Sequence, residues 1–389
     1  MEDLPPDLPF TEAREHLIDM ARRLAGYDDL GDESDLEGLD VLLESLETEA
    51  DLSRLGRTSA VSNIVTALVG RLESQRSLAE NPGYREVPFE APIIIIGLAR
   101  SGTTALHRML ASAEGVQAPE LWLLQSPIPR PPRESWPRHP GYARCEERLR
   151  MQRENSPDME AIHEMRADEP DECWNMMRQS FVTNTFECIF HIPRFSAWWA
   201  TCDMRPAYRR WADNLRLIGL NEPEKRWILK DPNHLYAPEA LFATVPEATI
   251  VMTHRDPARS IPSVCSLNAT ARVVHDRVPD LELLGREQLD LWSRGIERFV
   301  AAREARPERF VDIHFHELRS DPEGVAARIF EQAGLPFEEK SRKAALEWLR
   351  GHPSSPHPYD AARFGLDEDA IRERFRSYIE AFDVRIEAR

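Results

Sequence analysis

The sequence contains a glycine, four intervening residues, a second glycine and two threonines at Gly97-Leu98-Ala99-Arg100-Ser101-Gly102-Thr103-Thr104. A glycine-bounded turn at a helix start aims several unpaired backbone N–H groups at one point, where the helix dipole adds positive potential. The spacing is that of a phosphate-binding loop, with Thr103 where such loops carry a lysine. An ordinary ATPase or kinase needs that lysine on the β- and γ-phosphates beside magnesium, so the replacement disfavours both. Arg100 lies inside the loop and offers a planar fork of donors suited to phosphate or sulfonate oxygens. A second anion-seeking pair stands at Arg255, in Thr253-His254-Arg255-Asp256-Pro257, and Ser263, eight residues further on. An arginine at a strand's C-terminal edge and a serine two helical turns later can converge on one anion.

The elements around these residues must place them. Residues 93–96 are four isoleucines, a short β-branched run bounded by glycine that reads as a fully buried parallel strand. Further strands are expected at 226–229 and 248–253, separated and followed by helical patterns such as LEWLRGH and EDAIRERFRSYIEAF. This alternation predicts an α/β fold, a three-layer sandwich around a central parallel sheet. Residues 10–79 show apolar spacings of three and four, which predicts a helical extension over 1–85 before an α/β domain over 86–389. The proline- and arginine-rich stretch 126–140 is expected to be a loop, because proline removes backbone donors.

Composition bounds the function. The chain has 389 residues, 42% of them hydrophobic and 30% charged, which is ample for a core. A net charge of −18 repels polyanions and argues against nucleic acid as partner. Five scattered cysteines without a CxxC pair suggest neither a disulfide framework nor a zinc site. No apolar run approaches the ~20 residues of a membrane span, and the acidic start MEDLPPDLPF is unlike a signal peptide. A cytoplasmic protein is therefore expected, and a homo-oligomer is compatible with the sequence.

The RSGTT signature after a buried strand resembles the 5′-phosphosulfate loop of the sulfotransferases that use 3′-phosphoadenosine 5′-phosphosulfate (PAPS), in particular the bacterial branch and the tyrosylprotein sulfotransferases. The resemblance covers roughly residues 90–385. It implies a P-loop-like fold with PAPS as co-substrate, held by Arg100, Ser101, Gly102, Thr103 and Thr104, and with Arg255 and Ser263 on the 3′-phosphate. It also implies sulfuryl transfer to a hydroxyl or amine of a small-molecule, lipid or carbohydrate acceptor.

That chemistry requires positioning, neutralisation of the leaving group and removal of the acceptor's proton. Arg100 and Lys230 are the expected neutralising pair. Lys230, in Leu229-Lys230-Asp231-Pro232, is one of only four lysines among 49 basic residues and resembles a lysine of the tyrosylprotein branch. Two bases remain open. Glu120, 20 residues after Arg100, stands where the resemblance puts a glutamate base, whereas His234, four residues after Lys230, titrates near neutrality without help. No metal is required, because side chains and loop amides supply the positive charge.

Weaker signals remain. The acidic run 167–172 could order an acceptor's polar groups or simply begin a helix; His357 and Tyr359 resemble a closing segment over the nucleotide; Trp198, Trp199 and Trp211 fit core packing. The rival readings are a nucleotide-dependent kinase with a degenerate loop, and a non-catalytic nucleotide-binding relative.

Overall fold

The structure is a computed structural model that describes residues 4–5, 8–155, 164–352 and 360–387. His357 and Tyr359 lie outside the described residues. Five strands form one parallel sheet: β1 (Ile93–Gly97), β2 (Val116–Gln117), β3 (Arg226–Lys230), β4 (Thr249–His254) and β5 (Phe310–His314), in the order β2-β3-β1-β4-β5.

The isoleucine run is central and wholly buried because both faces of the sheet are covered. Side chains alternate across a strand, so Ile93 and Ile95 enter one core while Ile94 and Ile96 enter the other. The first core is closed by helix α4 (Thr103–Ala111) through Leu106, Met109 and Leu110, and by the helix Pro322–Gln332 through Ile329 and Phe330. The second core includes the N-terminal helices α1 (Arg14–Ala25), α2 (Glu37–Thr48) and α3 (Arg54–Glu80). Helix, sheet and helix form the three expected layers, and the apolar core runs unbroken from the N-terminal helices into the sheet. Arg71, fully buried on α3, reinforces this by donating to the carbonyls of Leu30 and Asp32 at 2.7 Å and of Gln179 at 3.2 Å.

Two strands escape the sequence reading. β2 has only two residues, and β5 carries Asp312 and His314, which break its apolar run. Asp312 nonetheless pairs with His254 Nε2 at 2.8 Å and with Arg303, so its charge is matched at the sheet edge. The last helical pattern is broken at Phe375 into Glu368–Arg374 and Arg376–Ala381.

β1 and β4 approach closely at their C-terminal ends, where Gly97 faces Thr253. A Cβ on Gly97 would stand 2.3 Å from Thr253 Oγ1 and 2.6 Å from its carbonyl oxygen, and Gly97 has φ +142°. Gly97→Ala should therefore lower unfolding free energy by about 3 kcal/mol or more. Thr253→Ala should not rescue it in denaturant unfolding, because the backbone oxygen remains in the way.

Candidate active site

Three strands end side by side at the site: β1 in the loop 97–104, β3 at Lys230 and β4 at His254, just before Arg255. This is the edge at which open parallel sheets bind ligands. The loop has Arg100 at φ +70° and Gly102 at φ +89°. Left-handed residues between right-handed ones turn successive amides to one side and form an anion-binding nest. No side chain caps the first turn of α4, which leaves its amides for a ligand.

Ser101 has a different position from the one its motif suggests. Its hydroxyl is fully buried, donates to Leu98 O at 2.6 Å and meets Thr253 Oγ1 at 2.6 Å. The side chain braces the loop against β4 and does not face the cavity. Arg100, Gly102, Thr103 and Thr104 do line that cavity.

Arg255 and Ser263 join Arg100 across more than 150 residues of sequence. Arg255 Nη1 donates to the carbonyl of Arg100 at 2.8 Å, and Arg100 Nε donates to Ser263 Oγ at 3.3 Å. Ser263 reaches this point because Asp256 caps the helix Pro257–His275 by accepting from Ala258 N at 3.0 Å. The Arg255 guanidinium lies 4.1 Å from the Phe315 ring centroid and is also held by Glu387, at 2.8 Å from Nε and 3.2 Å from Nη2. Neither Phe315 nor Glu387 carries a sequence signal, because both arrive by tertiary contact.

Lys230 is 1% exposed, with Nζ 3.1 Å from Thr104 Oγ1 and in contact with Glu172 Oε1. Glu172 reaches it because the acidic segment is pinned over the end of β3. Cys173 N donates to Lys230 O at 3.1 Å, Arg108 Nη1 pairs with Glu169 at 2.6 Å, and Asp171 Oδ1 accepts from Glu172 N at 2.7 Å. Glu172 also lines the cavity. Beside it, burial and the charge of Glu172 push the Asp231 carboxyl well above its usual range.

The two bases expected from sequence are not brought to this cavity. Glu120 accepts from Arg130 Nε at 3.1 Å, and Arg130 also donates to Gln117, Glu222 and the Ala118 carbonyl, an arrangement that ties the proline-rich loop to the sheet edge. Burial raises the Glu120 carboxyl, against the opposing pull of Arg130. His234 is 1% exposed, with Nδ1 2.5 Å from Tyr208 OH and its ring beside Trp211. Burial pulls its pKa down to about 3, so it is a neutral core residue. Sequence spacing could not show this, since Tyr208 and Trp211 lie on a separate helix, Arg205–Ile218.

The cavity measures about 1770 Å³ and extends from the loop toward α3 and the helix Pro140–Asn155. That exceeds the roughly 300–1,000 Å³ of an ordinary ligand pocket and is roomy enough for two substrates.

Residues 92–339, more than half of the chain, match the family model described as "Sulfotransferase family". The chain belongs to that family. Its fold is similar to that of sulfotransferase STF1 from Mycobacterium tuberculosis H37Rv, with 36% identity, 95% of this chain and 100% of that one covered, and a TM-score of 0.87. It is also similar to sulfotransferase STF9 from Mycobacterium avium, with 25% identity, both chains covered in full, and a TM-score of 0.90. A stretch of 130 residues is 26% identical to omega-hydroxy-beta-dihydromenaquinone-9 sulfotransferase Stf3 of Mycobacterium bovis. That stretch is 33% of this chain and 34% of the relative, so the match spans about a third of its length. The family's P-loop-like scaffold accounts for the strand-loop-helix order seen here. No helix among the described residues is long and apolar enough to cross a membrane.

His107 and His234 are both buried, with pKa values near 3. The unfolded chain binds protons below about pH 6.5 that the folded chain refuses, so stability is fully present above that pH and is lost as pH falls toward 3. Between pH 6.5 and 4.5 the effect reaches about 3 kcal/mol per histidine. His234→Gln should flatten this acid loss by that amount when urea unfolding is compared at pH 7 and 4.5.

Proposed function

We propose that this sulfotransferase moves a sulfuryl group from PAPS to an acceptor hydroxyl or amine, with Glu172 taking the acceptor's proton. The observation that carries the reading is the contact of Lys230 with both Thr104 and Glu172 at the mouth of the anion-binding loop. One lysine thus joins the anion-binding loop to the carboxylate on the cavity wall.

The residues present fit the donor. The amide nest and uncapped start of α4 suit its 5′-phosphosulfate, and Arg255 with Ser263 suits a second phosphate. When bound, the donor supplies an activated sulfuryl group on a phosphate leaving group. The Lys230 ammonium and the loop amides neutralise negative charge gathering beside Thr104. Arg100 adds a guanidinium on the same side. Glu172, on the cavity wall, accepts a proton from a hydroxyl presented there, and its contact with Lys230 holds the carboxylate in position.

The acceptor reading supported best is a molecule with an apolar body. Leu149, Met151, Met165, Trp174, Ile189 and Val264 line the cavity, and Leu55 (60% exposed) and Met151 (50% exposed) stand on its wall as solvent-facing apolar side chains. The name of the Stf3 relative gives it omega-hydroxy-beta-dihydromenaquinone-9 as acceptor, which favours a lipid-like molecule over a sugar.

In thermal melts, 3′,5′-ADP, the product of the donor, should stabilise the protein by about 2.7 kcal/mol at 100 times its dissociation constant. 5′-ADP and ATP with magnesium should do far less, and Arg255→Ala should abolish the shift. Stabilisation by ATP with magnesium alone would sink the reading. Glu172→Gln should cut sulfuryl transfer by about 10²–10⁴-fold while keeping the 3′,5′-ADP shift. Glu120→Gln should chiefly lower stability, and a loss of turnover confined to Glu120→Gln would return the base to that residue.

A further inference from the structure

Among the described residues, Arg148 and Arg178 of the cavity wall have no carboxylate at ion-pair distance, whereas two of their neighbours on that wall do. Arg144 pairs with Glu73 at 2.7 Å and Arg255 with Glu387 at 2.8 Å. Arg178 donates from Nη2 to Asn63 Oδ1 at 2.8 Å and to Asn63 O at 3.3 Å, and its Nε is sealed from solvent with no hydrogen-bond partner among the described residues. Its guanidinium lies 5.7 Å from the ring centroids of both Trp174 and Phe186. Arg148, on the helix Pro140–Asn155, reaches the Cys145 thiol at 3.8 Å. Among the described residues neither has a carboxylate at ion-pair distance, although Asp171 acts on Arg148 from further away. Both line the cavity.

Such a pair is costly by itself. Burial, with Arg148 as the neighbouring like charge, pulls the Arg178 guanidinium down to about 9. An unpaired cation in a poorly solvated site is destabilising. Two guanidiniums flanking one space relieve that cost by sharing an oxyanion, which their planar donor forks fit in bidentate fashion. Arg178 follows Glu172 by six residues through the short helix Trp174–Met177, on the order of 10 Å along a helical path. Trp174 lines the wall between them.

We propose that Arg148 and Arg178 form a seat for an anionic group of the acceptor, a carboxylate or phosphate, so that the acceptor is an amphiphilic acid whose hydroxyl lies on the order of 10 Å away at Glu172. This rests on the sulfotransferase reading and narrows its acceptor class. The oxyanion fixes which end of the molecule enters and how far it advances toward the loop, and the apolar wall holds the body between.

Calorimetric titration tests the seat with octyl phosphate, octanoate and octanol, in the presence and absence of saturating 3′,5′-ADP. Octyl phosphate or octanoate should bind at least about tenfold tighter than octanol. That preference should disappear in Arg178→Met and in Arg148→Met, with the 3′,5′-ADP affinity unchanged. The melting temperature of Arg178→Met should equal or exceed that of the parent, because a partly buried charge with no carboxylate at ion-pair distance has been replaced by an apolar side chain of similar length. Equal binding of octanol and the two anions would overturn the proposal. A preference that survives both substitutions would also overturn it, by placing the oxyanion on the loop of residues 97–104. If Arg178→Met fails to fold, Arg148→Met decides alone. Failure of 3′,5′-ADP to bind would count against the sulfotransferase reading only, because the titrations without nucleotide still decide the seat.

Discussion

A buried ammonium must find a carboxylate, and the active site is arranged around that requirement. Lys230 ends a strand that is covered on both faces and is 1% exposed. Its partner, Glu172, lies 58 residues away in the chain. Removing Glu172 would leave the Lys230 charge where water barely reaches it, so the pairing helps fix the path of the acidic segment over the sheet edge. With that path set, Trp174 and Arg178 fall on one wall of the cavity, and the anion-binding loop lies beneath through Thr104.

The electrostatics of the cavity run opposite to those of the whole molecule. The chain carries a net charge of −18, yet Arg100, Arg144, Arg148, Arg178 and Arg255 all line one cavity. Far-field repulsion deters polyanions, while local guanidiniums in a poorly solvated cleft attract small anions. Two of these arginines are matched by glutamates of the protein itself, Arg144 by Glu73 and Arg255 by Glu387. In the proposed binding mode, a donor phosphate at Arg255 would meet a guanidinium that is already oriented, in competition with the Glu387 carboxylate.

The N-terminal helices contribute to the site as well as to the core. α3 carries Thr58, Asn63, Thr66 and Glu73 on the cavity wall, and its buried Arg71 ties it to the segments before and after it. The family match begins at residue 92, after these helices. Part of the cavity wall is thus built from residues that precede the region matched by the family model.

The anion-binding loop was legible in the sequence because every part of it is contiguous: strand, glycines, hydroxyls and helix occupy residues 93–111. Arg255 and Ser263 were legible for a similar reason, since a strand end and one helix set their separation. The isoleucine run also announced the doubly covered sheet, as only burial on both faces tolerates four such residues in a row. The proposed proton acceptor, Glu172, was not legible. Glu120 and Glu172 are both glutamates beside prolines or acids, and their difference is that one meets Arg130 at the sheet edge while the other meets Lys230 at the cavity. His234 looked reactive by its spacing from Lys230, but Tyr208 and Trp211 close over it from another helix. Local backbone order can be read from neighbouring residues, whereas the partner of a charge is set by which distant segments the core packs together, and only the tertiary structure decided that.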